Sequence, residues 1–541
     1  MNTQNINPIT KLDYPDPDVI RVDDTYYMVS TTMYFMPGCE ILRSYDLINW
    51  EHAAFVYNRL DSTPAQKLSG KENIYGQGMW AASLRYHDGI FYIVFVANDT
   101  HKTYLYTASD INGPWEKSEI PGFYHDNSVL FDDDGKIYIV YGNTEIHITE
   151  LCIEKNSSSN LTLKPKENGL DKVIISDSSE HYLGYEGAHF YKIDGKYYIF
   201  FIHMPKSTGK RTESCFVSDR PEGPYYGKDI CDDSRNYRGS GVAQGGIVMS
   251  PDKKWYSIMF QDSGAVGRIP VLSPVAFKEI TLKELSFNAP DTKVLFPEIG
   301  NNGIIPEDFY IRPLKENYKY APLADSDDFH SELKNCWQFN HEPDFTLLSH
   351  DKSAGTLTIK TDKISTNLVQ AKNTITQRTL FPSCAASVHL DASDISEGDY
   401  AGLCILQSCY GFIGVTKKDD RFFLVMANRT IDTPGIWGER HDDLPCNEIS
   451  SMELGSPEIT LRADVMFAPE LSNVKNNFLP QSEDCVQFSY KLKSDDIFTL
   501  FGSVHKLKFK LDHFTGARFG LFNFSTKKAG GSATFSDFKY M

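Results

Sequence analysis

A hairpin pattern recurs five times in the first half of the chain, and it restricts the folds that the chain can adopt. Each copy places Asp-Gly or a polar substitute between two short segments rich in Val, Ile, Tyr and Phe, which predicts strand, tight turn, strand. The copies lie at 21–30, 85–95, 131–141, 191–201 and 250–260. Their spacing suits a unit of about four strands per repeat, as in a propeller blade. Five copies therefore predict five blades.

Counting back eight residues from the aspartate of each turn reaches five positions that a propeller would gather where its innermost strands begin. These positions are Asp16, Trp80, Asp126, Glu186 and Gln244. Three of the five are carboxylic acids, and like charges in one cavity raise one another's pKa, which favours a functional role. The alternative is that each acid lies on an exposed turn, as most acidic residues do.

The hairpin repeat stops after about residue 305, and 304–329 predicts an irregular connection. From 336 to the last residue, short alternating strands are separated by Gly, Asp and Asn turns, a pattern typical of a β-sandwich. The sequence therefore predicts an all-β chain with an N-terminal five-bladed β-propeller at 1–310. A C-terminal β-sandwich is expected at 320–541.

Composition excludes several kinds of partner. Lys and Arg number 54 against 72 Asp and Glu, and the formal charge of -18 would repel nucleic acid and anionic membranes. The chain has no uninterrupted apolar run of about 18 residues, and its start lacks the pattern of a signal peptide. We therefore expect a cytoplasmic protein; both a monomer and a homo-oligomer remain open. The ten cysteines form no CxxC pair, so buried thiols are expected rather than disulfides or metal ligands.

The residue types at the five positions favour a neutral sugar as the ligand. Trp80 offers an indole on which the apolar face of a sugar stacks, while sugar hydroxyls reach the carboxylates and Gln244. Glycoside hydrolysis needs a protonated acid at the leaving oxygen and a carboxylate on the other face of the ring. A third acid nearby would keep the pKa of the proton donor high.

Three segments carry the acids in motifs that closely resemble those of glycoside hydrolase family 43. They are YPDPDVIRV with Asp16, HDNSVLFDDDG with Asp126 and YEGAHFYKIDGKYY with Glu186. The segments GMWAASLRYHDGIFY and AQGGIVMSPDKKWY are similar to that family as well. In the second half, NTITQRTLFPSCAASVHLDASDISEGDYAGL resembles the sandwich appended to its β-xylosidase and α-L-arabinofuranosidase branch. This resemblance implies a concanavalin-like jelly roll that packs against the propeller.

The resemblance implies an inverting, single-displacement hydrolysis on a five-bladed propeller. Asp16 would be the general base that activates water, and Glu186 the general acid that protonates the glycosidic oxygen. Asp126 would raise the pKa of the acid and orient it. Inversion requires the base and the acid to be about 6.5 to 9.5 Å apart so that a water molecule fits between sugar and base.

The resemblance also implies a set of substrate contacts. Met33 and Trp80 would form the wall of the sugar pocket, Gln244 would lie near its floor, and Arg268 would contact a hydroxyl. The alternatives are core packing for Met33, blade packing for Trp80 and a surface charge for Arg268. No cofactor or catalytic metal is expected. Ala243 stands where many relatives carry a histidine near an axial calcium, so any calcium would be structural.

The expected activity is the exo-acting release of a terminal pentose from short xylo-oligosaccharides, as by a β-xylosidase. An α-L-arabinofuranosidase that removes arabinose branches is the first alternative, because the two sugars present similar hydroxyl patterns. A carbohydrate-binding propeller without catalysis is the second. In each case the expected partner is a small oligosaccharide.

Overall fold

The computed structural model describes residues 6–155, 161–237, 239–430, 442–468 and 483–541, and within these residues it is built almost entirely from β-strands. The strands of the first half are, in chain order, β1 (Asp18–Val22), β2 (Thr25–Ser30), β3 (Phe35–Met36), β4 (Gly38–Ser44), β5 (Glu51–Tyr57), β6 (Met79–His87), β7 (Ile90–Ala97), β8 (Lys102–Ala108), β9 (Glu116–Ile120), β10 (Ser128–Phe131), β11 (Ile137–Asn143), β12 (Glu145–Lys155), β13 (Leu161–Pro165), β14 (Asp171–Ser176), β15 (His181–Ile193), β16 (Lys196–Pro205), β17 (Thr212–Ser218), β18 (Tyr226–Cys231), β19 (Val242–Met249), β20 (Trp255–Asp262), β21 (Arg268–Thr281) and β22 (Lys293–Ile299).

These strands form five antiparallel sheets, and the predicted five-bladed propeller is confirmed. The sheets have the orders β1-β2-β4-β5, β6-β7-β8-β9, β10-β11-β12-β13 with β14 beside β12, β15-β16-β17-β18 and β19-β20-β21-β22. Each sheet opens with one of the five hairpins recognised in the sequence. In the second and fourth, the turn is a pair of residues with left-handed backbone, Asp88-Gly89 and Asp194-Gly195. Such turns match the twist of the flanking strands, which explains why Asp-Gly recurs there.

Apolar side chains fill the space between each pair of adjacent blades. Five separate buried clusters do this, represented by Ile41 between blades 1 and 2, Val94 between 2 and 3, Phe190 between 3 and 4, Phe200 between 4 and 5, and Tyr26 between 5 and 1. Since the last cluster joins the fifth blade to the first, the ring is closed by packing as well as by hydrogen bonds.

The segment before β1 runs beside β21 and so links the first blade to the fifth. Ile9 N donates to Pro270 O at 3.1 Å, and Tyr14 N donates to Arg268 O at 3.0 Å. This pairing ends two residues before Asp16, and it brings Asp16 next to Arg268, the first residue of β21.

At the axis, one buried carboxylate joins several blades. Asp18 on β1 accepts hydrogen bonds from Leu84 N at 2.8 Å and from Arg85 Nη1 at 2.7 Å in blade 2, and its other oxygen lies 3.2 Å from His189 Nδ1 in blade 4. Arg85 Nη2 in turn donates to Ser128 Oγ in blade 3. Burial opposes ionisation, yet Arg85 and His189 hold the pKa of Asp18 below its usual value. The inner strands are therefore fixed relative to one another.

The second half forms two packed sheets, which confirms the predicted sandwich. Its strands are β23 (Gln338–Asn340), β24 (Leu348–Asp351), β25 (Thr356–Lys360), β26 (Ile375–Arg378), β27 (Ser383–Asp391), β28 (Asp399–Leu406), β29 (Gly411–Lys418), β30 (Arg421–Asn428), β31 (Asn447–Leu454), β32 (Glu458–Met466), β33 (Cys485–Lys491), β34 (Thr499–Lys506), β35 (Arg518–Ser525) and β36 (Ser532–Tyr540). The sheets have the orders β3-β23-β26-β35-β28-β29-β30-β31 and β24-β25-β36-β27-β32-β33-β34. Short 3-10 helices span Gly264–Val266, Leu282–Glu284, Phe345–Leu347 and Leu368–Gln370.

One strand from the propeller half of the chain, β3, belongs to a sheet of the sandwich. β3, which follows the first hairpin, pairs antiparallel with β23, so that Met36 lies opposite Phe339 in the larger sheet of the sandwich. Beside it, Arg378 Nη1 of the sandwich forms a fully buried ion pair with Glu40 Oε2 of blade 1 at 2.7 Å. The two halves are therefore joined by main-chain pairing and buried charge. No helix in the part of the chain that the structure describes is long and apolar enough to cross a membrane.

Candidate active site

Asp126 and Glu186 lie on either side of one imidazole. His125 Nε2 is 3.4 Å from Glu186 Oε2, and His125 Nδ1 is 3.8 Å from Asp126 Oδ1. One donor or acceptor atom from each of the three side chains lies within 4.8 Å of the others. Asn143 Nδ2, at the end of β11, donates a second hydrogen bond to Glu186 Oε2. The two acids therefore belong to one cluster, although they come from different blades.

Local backbone irregularities occur at all five positions, of which Asp16 and Asp126 lie two residues before their strands and the other three lie within strands. Asp16, Asp126 and Gln244 have left-handed backbone, with φ of 53°, 48° and 53°. The β15–β16 register shifts on both sides of Glu186, and the β6–β7 register shifts between the residues that flank Trp80. Bulges and left-handed residues redirect side chains and are common at active sites. The five positions that have the same offset from a hairpin turn in the sequence therefore also have irregular backbone or irregular strand pairing in the structure.

Asp16 is held by two partners. Its Oδ2 accepts a hydrogen bond from Thr31 Oγ1 at 2.7 Å, and its Oδ1 pairs with Arg268 Nη1 at 2.7 Å. Arg268 is only 3% exposed, so its interpretation as a surface charge is wrong. Its guanidinium lies between two rings, 5.1 Å from the centroid of Phe260 and 4.3 Å from that of Phe514. Within the described residues, Arg268 Nε and Nη2 have no hydrogen-bond partner.

The sandwich contributes an aromatic side chain to this region. Phe514, in the connection from β34 to β35, contacts the Trp80 ring at a centroid distance of 6.0 Å and an angle of 70°. Phe514 has left-handed backbone with φ of 57°, which is unusual for a bulky residue and indicates a constrained position. Trp80 is partly exposed and also contacts the His125 ring at 5.6 Å. Trp80 therefore lies between the acid cluster and the sandwich.

Met33 and Gln244 are both buried, at 2% and 4% exposure. Met33 belongs to an apolar cluster between propeller and sandwich, and its main chain pairs with Met79. Core packing is what the structure shows for Met33, and its contact with substrate stays a prediction. Gln244 N donates to Glu213 Oε2 at 2.7 Å, and the Gln244 side chain lies against Gly187, beside Glu186. Its role near the pocket floor also stays a prediction.

The cluster retains protons to unusually high pH. Burial raises the pKa of Asp126 to about 7; the charges of Glu186 and Asp16 act in the same direction, and those of His125 and Arg268 oppose it. Burial disfavours the charged form of His125, but Asp126, Glu186 and Asp16 raise its pKa to about 9. At neutral pH the imidazole is therefore a cation, and Asp126 is only partly ionised.

Several residues of this region were absent from the sequence interpretation. His125 stands next to Asp126 in the quoted motif, so a signal existed. Thr31 and Asn143 lie at the ends of hairpin strands and had no distinguishing pattern. Phe514 lies in the other half of the chain, where no local signal connects it to the acids. Arg211, just before β17, is a further residue near the acids. Burial lowers the pKa of Arg211, but Asp262 raises it, and so to a smaller extent do Glu186 and Asp16.

A five-bladed ring that gathers acids beside a partly exposed indole defines a class, the propeller glycoside hydrolases. Comparison with known families agrees with that class. Residues 6–280 match the model of glycosyl hydrolases family 43, and residues 326–541 match the β-xylosidase C-terminal concanavalin A-like domain. The chain belongs to glycosyl hydrolase family 43 and is a glycosidase, which confirms the resemblance seen in its motifs.

Relatives cover nearly the whole chain. A β-xylosidase of Formosa agariphila is 26% identical over 590 residues, which are 99% of this chain and 90% of that protein. A non-reducing end α-L-arabinofuranosidase of Bacteroides ovatus is 25% identical over 454 residues, 79% of each chain. The solved structure of a bifunctional GH43-CE protein of Bacteroides eggerthii is 35% identical with a TM-score of 0.83. That match covers 99% of this chain, which spans 63% of the longer protein.

Proposed function

We propose that this protein is an inverting, exo-acting glycosidase that releases a terminal pentose from xylo-oligosaccharides. The observation that carries the proposal is the joint position of Asp126 and Glu186 around His125, with Trp80 in contact with the same imidazole. Acids beside an indole suit a neutral sugar, which is held by stacking and by hydrogen bonds to its hydroxyls. A binding protein without catalysis has no need to bear the cost of buried, mutually repelling carboxyls.

The three acids have different surroundings, and these support different roles. The Glu186 side chain is 17% exposed and accepts from Asn143, so it can reach a leaving oxygen and protonate it as the general acid. Asp16 is oriented by Arg268 and Thr31, which suits a general base that accepts a proton from water. Asp126 is buried beside the acid, where its charge favours the protonated form of a neighbouring carboxyl.

The aromatic side chains support attack at a chain end. Trp80 and Phe514 meet nearly at right angles, so the propeller and the sandwich form adjoining walls beside the cluster. A site bounded in this way accommodates a terminal residue more readily than the middle of a polymer. A small oligosaccharide is therefore the proposed partner.

The proposed sugar is xylose, with arabinose as the second candidate. Both choices are supported by relatives, named β-xylosidase and α-L-arabinofuranosidase. Hydrolysis of p-nitrophenyl β-xyloside should exceed that of the matching α-L-arabinofuranoside; the reverse order would make the second candidate correct. Proton NMR of the first-formed sugar should show the inverted anomer, and a retained anomer would refute the single-displacement mechanism.

The assignment of the general acid is tested by Glu186→Gln, which keeps the shape of the side chain and removes its proton. We expect a loss of about 10²- to 10⁴-fold in kcat on xylobiose. Glu180→Gln is the matched control. The Glu180 side chain is exposed, and the ion pair that the described residues show for it is with Lys206. Wild-type kcat for Glu186→Gln would show that another group donates the proton.

We propose a cytoplasmic location as well. The ten cysteines are free thiols in the structure, the state that a reducing compartment maintains. Fractionation of the source cells with an antibody against this protein tests the proposal, and recovery with secreted proteins would refute it.

A further inference from the structure

His125 occupies the position between the two acids of the cluster, and nothing in the roles described above uses it. Its Nε2 points to Glu186 Oε2 and its Nδ1 to Asp126 Oδ1, at 3.4 and 3.8 Å. The Trp80 ring, 5.6 Å away and tilted by 57°, packs against the imidazole and limits its rotation. Both nitrogens therefore face carboxylates, and the ring is held in that orientation by an aromatic neighbour.

We propose that His125 is a positioning residue for the proton donor, because its imidazole fixes the Glu186 carboxyl from Nε2 and offsets the charge of Asp126 from Nδ1. Glu186 Oε2 also accepts from Asn143, so two donors hold one carboxyl oxygen. The other oxygen, Oε1, is then available to carry the proton toward the leaving group. This inference rests on the assignment of Glu186 as the general acid.

A histidine suits this position better than a neutral amide. When both of its nitrogens are protonated, the ring donates from Nε2 to Glu186 and places its positive charge 3.8 Å from the Asp126 carboxyl. Its raised pKa of about 9 keeps it in that form at neutral pH. The positive charge also lets Asp126 ionise next to a second acid, which the bare pair would resist.

The charges around His125 come from several elements. The carboxylates that face it are Asp126 in its own segment, Glu186 on β15 and Asp16 ahead of β1. The cations are one step further away: Arg268 on β21 lowers the pKa of Asp126, and Arg211 before β17 interacts with Glu186 and Asp16. Two further side chains that contact the cluster within the described residues, Trp80 and Asn143, carry no charge. His125 is therefore the cation with direct access to both acids.

Two variants separate the donor from the charge. His125→Gln keeps a neutral donor and loses the charge, whereas His125→Phe keeps a ring and loses both. With xylobiose, whose leaving group needs a proton, we expect kcat to fall about 100-fold in the Phe variant and less in the Gln variant. With 2,4-dinitrophenyl β-xyloside, which leaves without a proton, both should stay within about 10-fold of wild type.

The pH profile provides a readout that a purely structural role would not change. Loss of the cation raises the proton affinity of the neighbouring carboxyls, so the alkaline limb of kcat should move upward by about one pH unit in both variants. His87→Gln is the matched control, because His87 also precedes an aspartate, 3.4 Å away, but lies at the turn between β6 and β7. It should behave as wild type with both substrates.

Equal losses on the two substrates, with an unmoved alkaline limb and an unchanged unfolding temperature, would overturn the proposal. Glu186→Gln, assayed with the same pair of substrates, separates this failure from a failure of the acid assignment. If Glu186→Gln shows the dependence on leaving group and the His125 variants do not, the inference about His125 alone is wrong. If Glu186→Gln lacks the dependence, the acid assignment is wrong and the inference falls with it.

Discussion

Asp126→Asn should make the folded protein more stable at alkaline pH while it lowers activity. The pKa of this carboxyl is raised from 3.8 to about 7 on folding, chiefly by burial. The folded state therefore keeps a proton that the unfolded chain has already released, and stability falls as the pH rises through that interval. It stays reduced above about pH 7, where the folded protein carries an ionised, buried carboxylate. The asparagine variant has no charge to bury and should not show this loss.

The size of the effect follows from the two pKa values. One pKa unit corresponds to about 1.4 kcal/mol, so full ionisation of Asp126 in the folded state costs about 4 kcal/mol at about pH 8. Relaxation of the protein around the charge reduces this figure, and we expect about 2 to 4 kcal/mol. For a chain of this size that corresponds to a few degrees in the unfolding temperature.

The measurement is the difference in unfolding temperature or free energy between Asp126→Asn and wild type at about pH 4 and at about pH 8. Because packing changes are common to both conditions, the change in this difference reports the ionisation of Asp126 together with its effect on the pKa of His125, which Asp126 raises. Asp88→Asn, on an exposed turn, is the control and should give the same difference at both values. The reasoning would be refuted if the stability of Asp126→Asn relative to wild type were the same at both pH values, or if it decreased as the pH rises.

Two further substitutions test how the surroundings hold the acids. Phe514→Ala removes the ring over the Arg268 guanidinium, so we expect about a 10-fold fall in kcat/KM on xylobiose; unchanged kinetics would show that the sandwich ring does not support the site. Gly187→Ala would place a Cβ 2.7 Å from Gln244 side-chain atoms at a left-handed position beside the general acid, and kcat should fall at least about 10-fold. Gly195→Ala has similar backbone strain but open space around the new Cβ, so it should cost stability and leave kcat as in wild type; a matching fall in kcat there would attribute the effect to strain alone.

The propeller could be predicted because its signals are local. An Asp-Gly turn between two apolar segments specifies a hairpin within about ten residues, and five such hairpins at similar intervals specify the ring. The phase of Asp16, Asp126 and Glu186 was also visible, since each stands at a fixed offset from a turn. The sequence did not reveal the irregular backbone at these three residues, because left-handed backbone and bulges depend on pairing with the neighbouring strand.

The surroundings of the acids could not be predicted for a different physical reason. Arg268 reaches Asp16 only because the segment before β1 pairs with β21, a contact between distant parts of the chain. Phe514 joins Trp80 across two halves of the protein, and no periodicity encodes such a contact. His125 was legible beside Asp126, but its role depends on where Glu186 lies in space. Long-range packing, rather than local propensity, decides these positions.

The pairing of β3 with β23 implies an order in which parts of the chain can complete their folding. β3 is synthesised early, yet its partner β23 emerges about three hundred residues later, so the main-chain groups of β3 that pair with β23 have no strand partner until the second half is made. Pairings between such distant segments form slowly, because the intervening loop must first be closed. Cutting the gene between the two halves would then leave β3 on the propeller without its partner and the larger sheet of the sandwich without its edge strand. Recombination of these domains, in evolution or in the laboratory, must therefore keep β3 and the sandwich together.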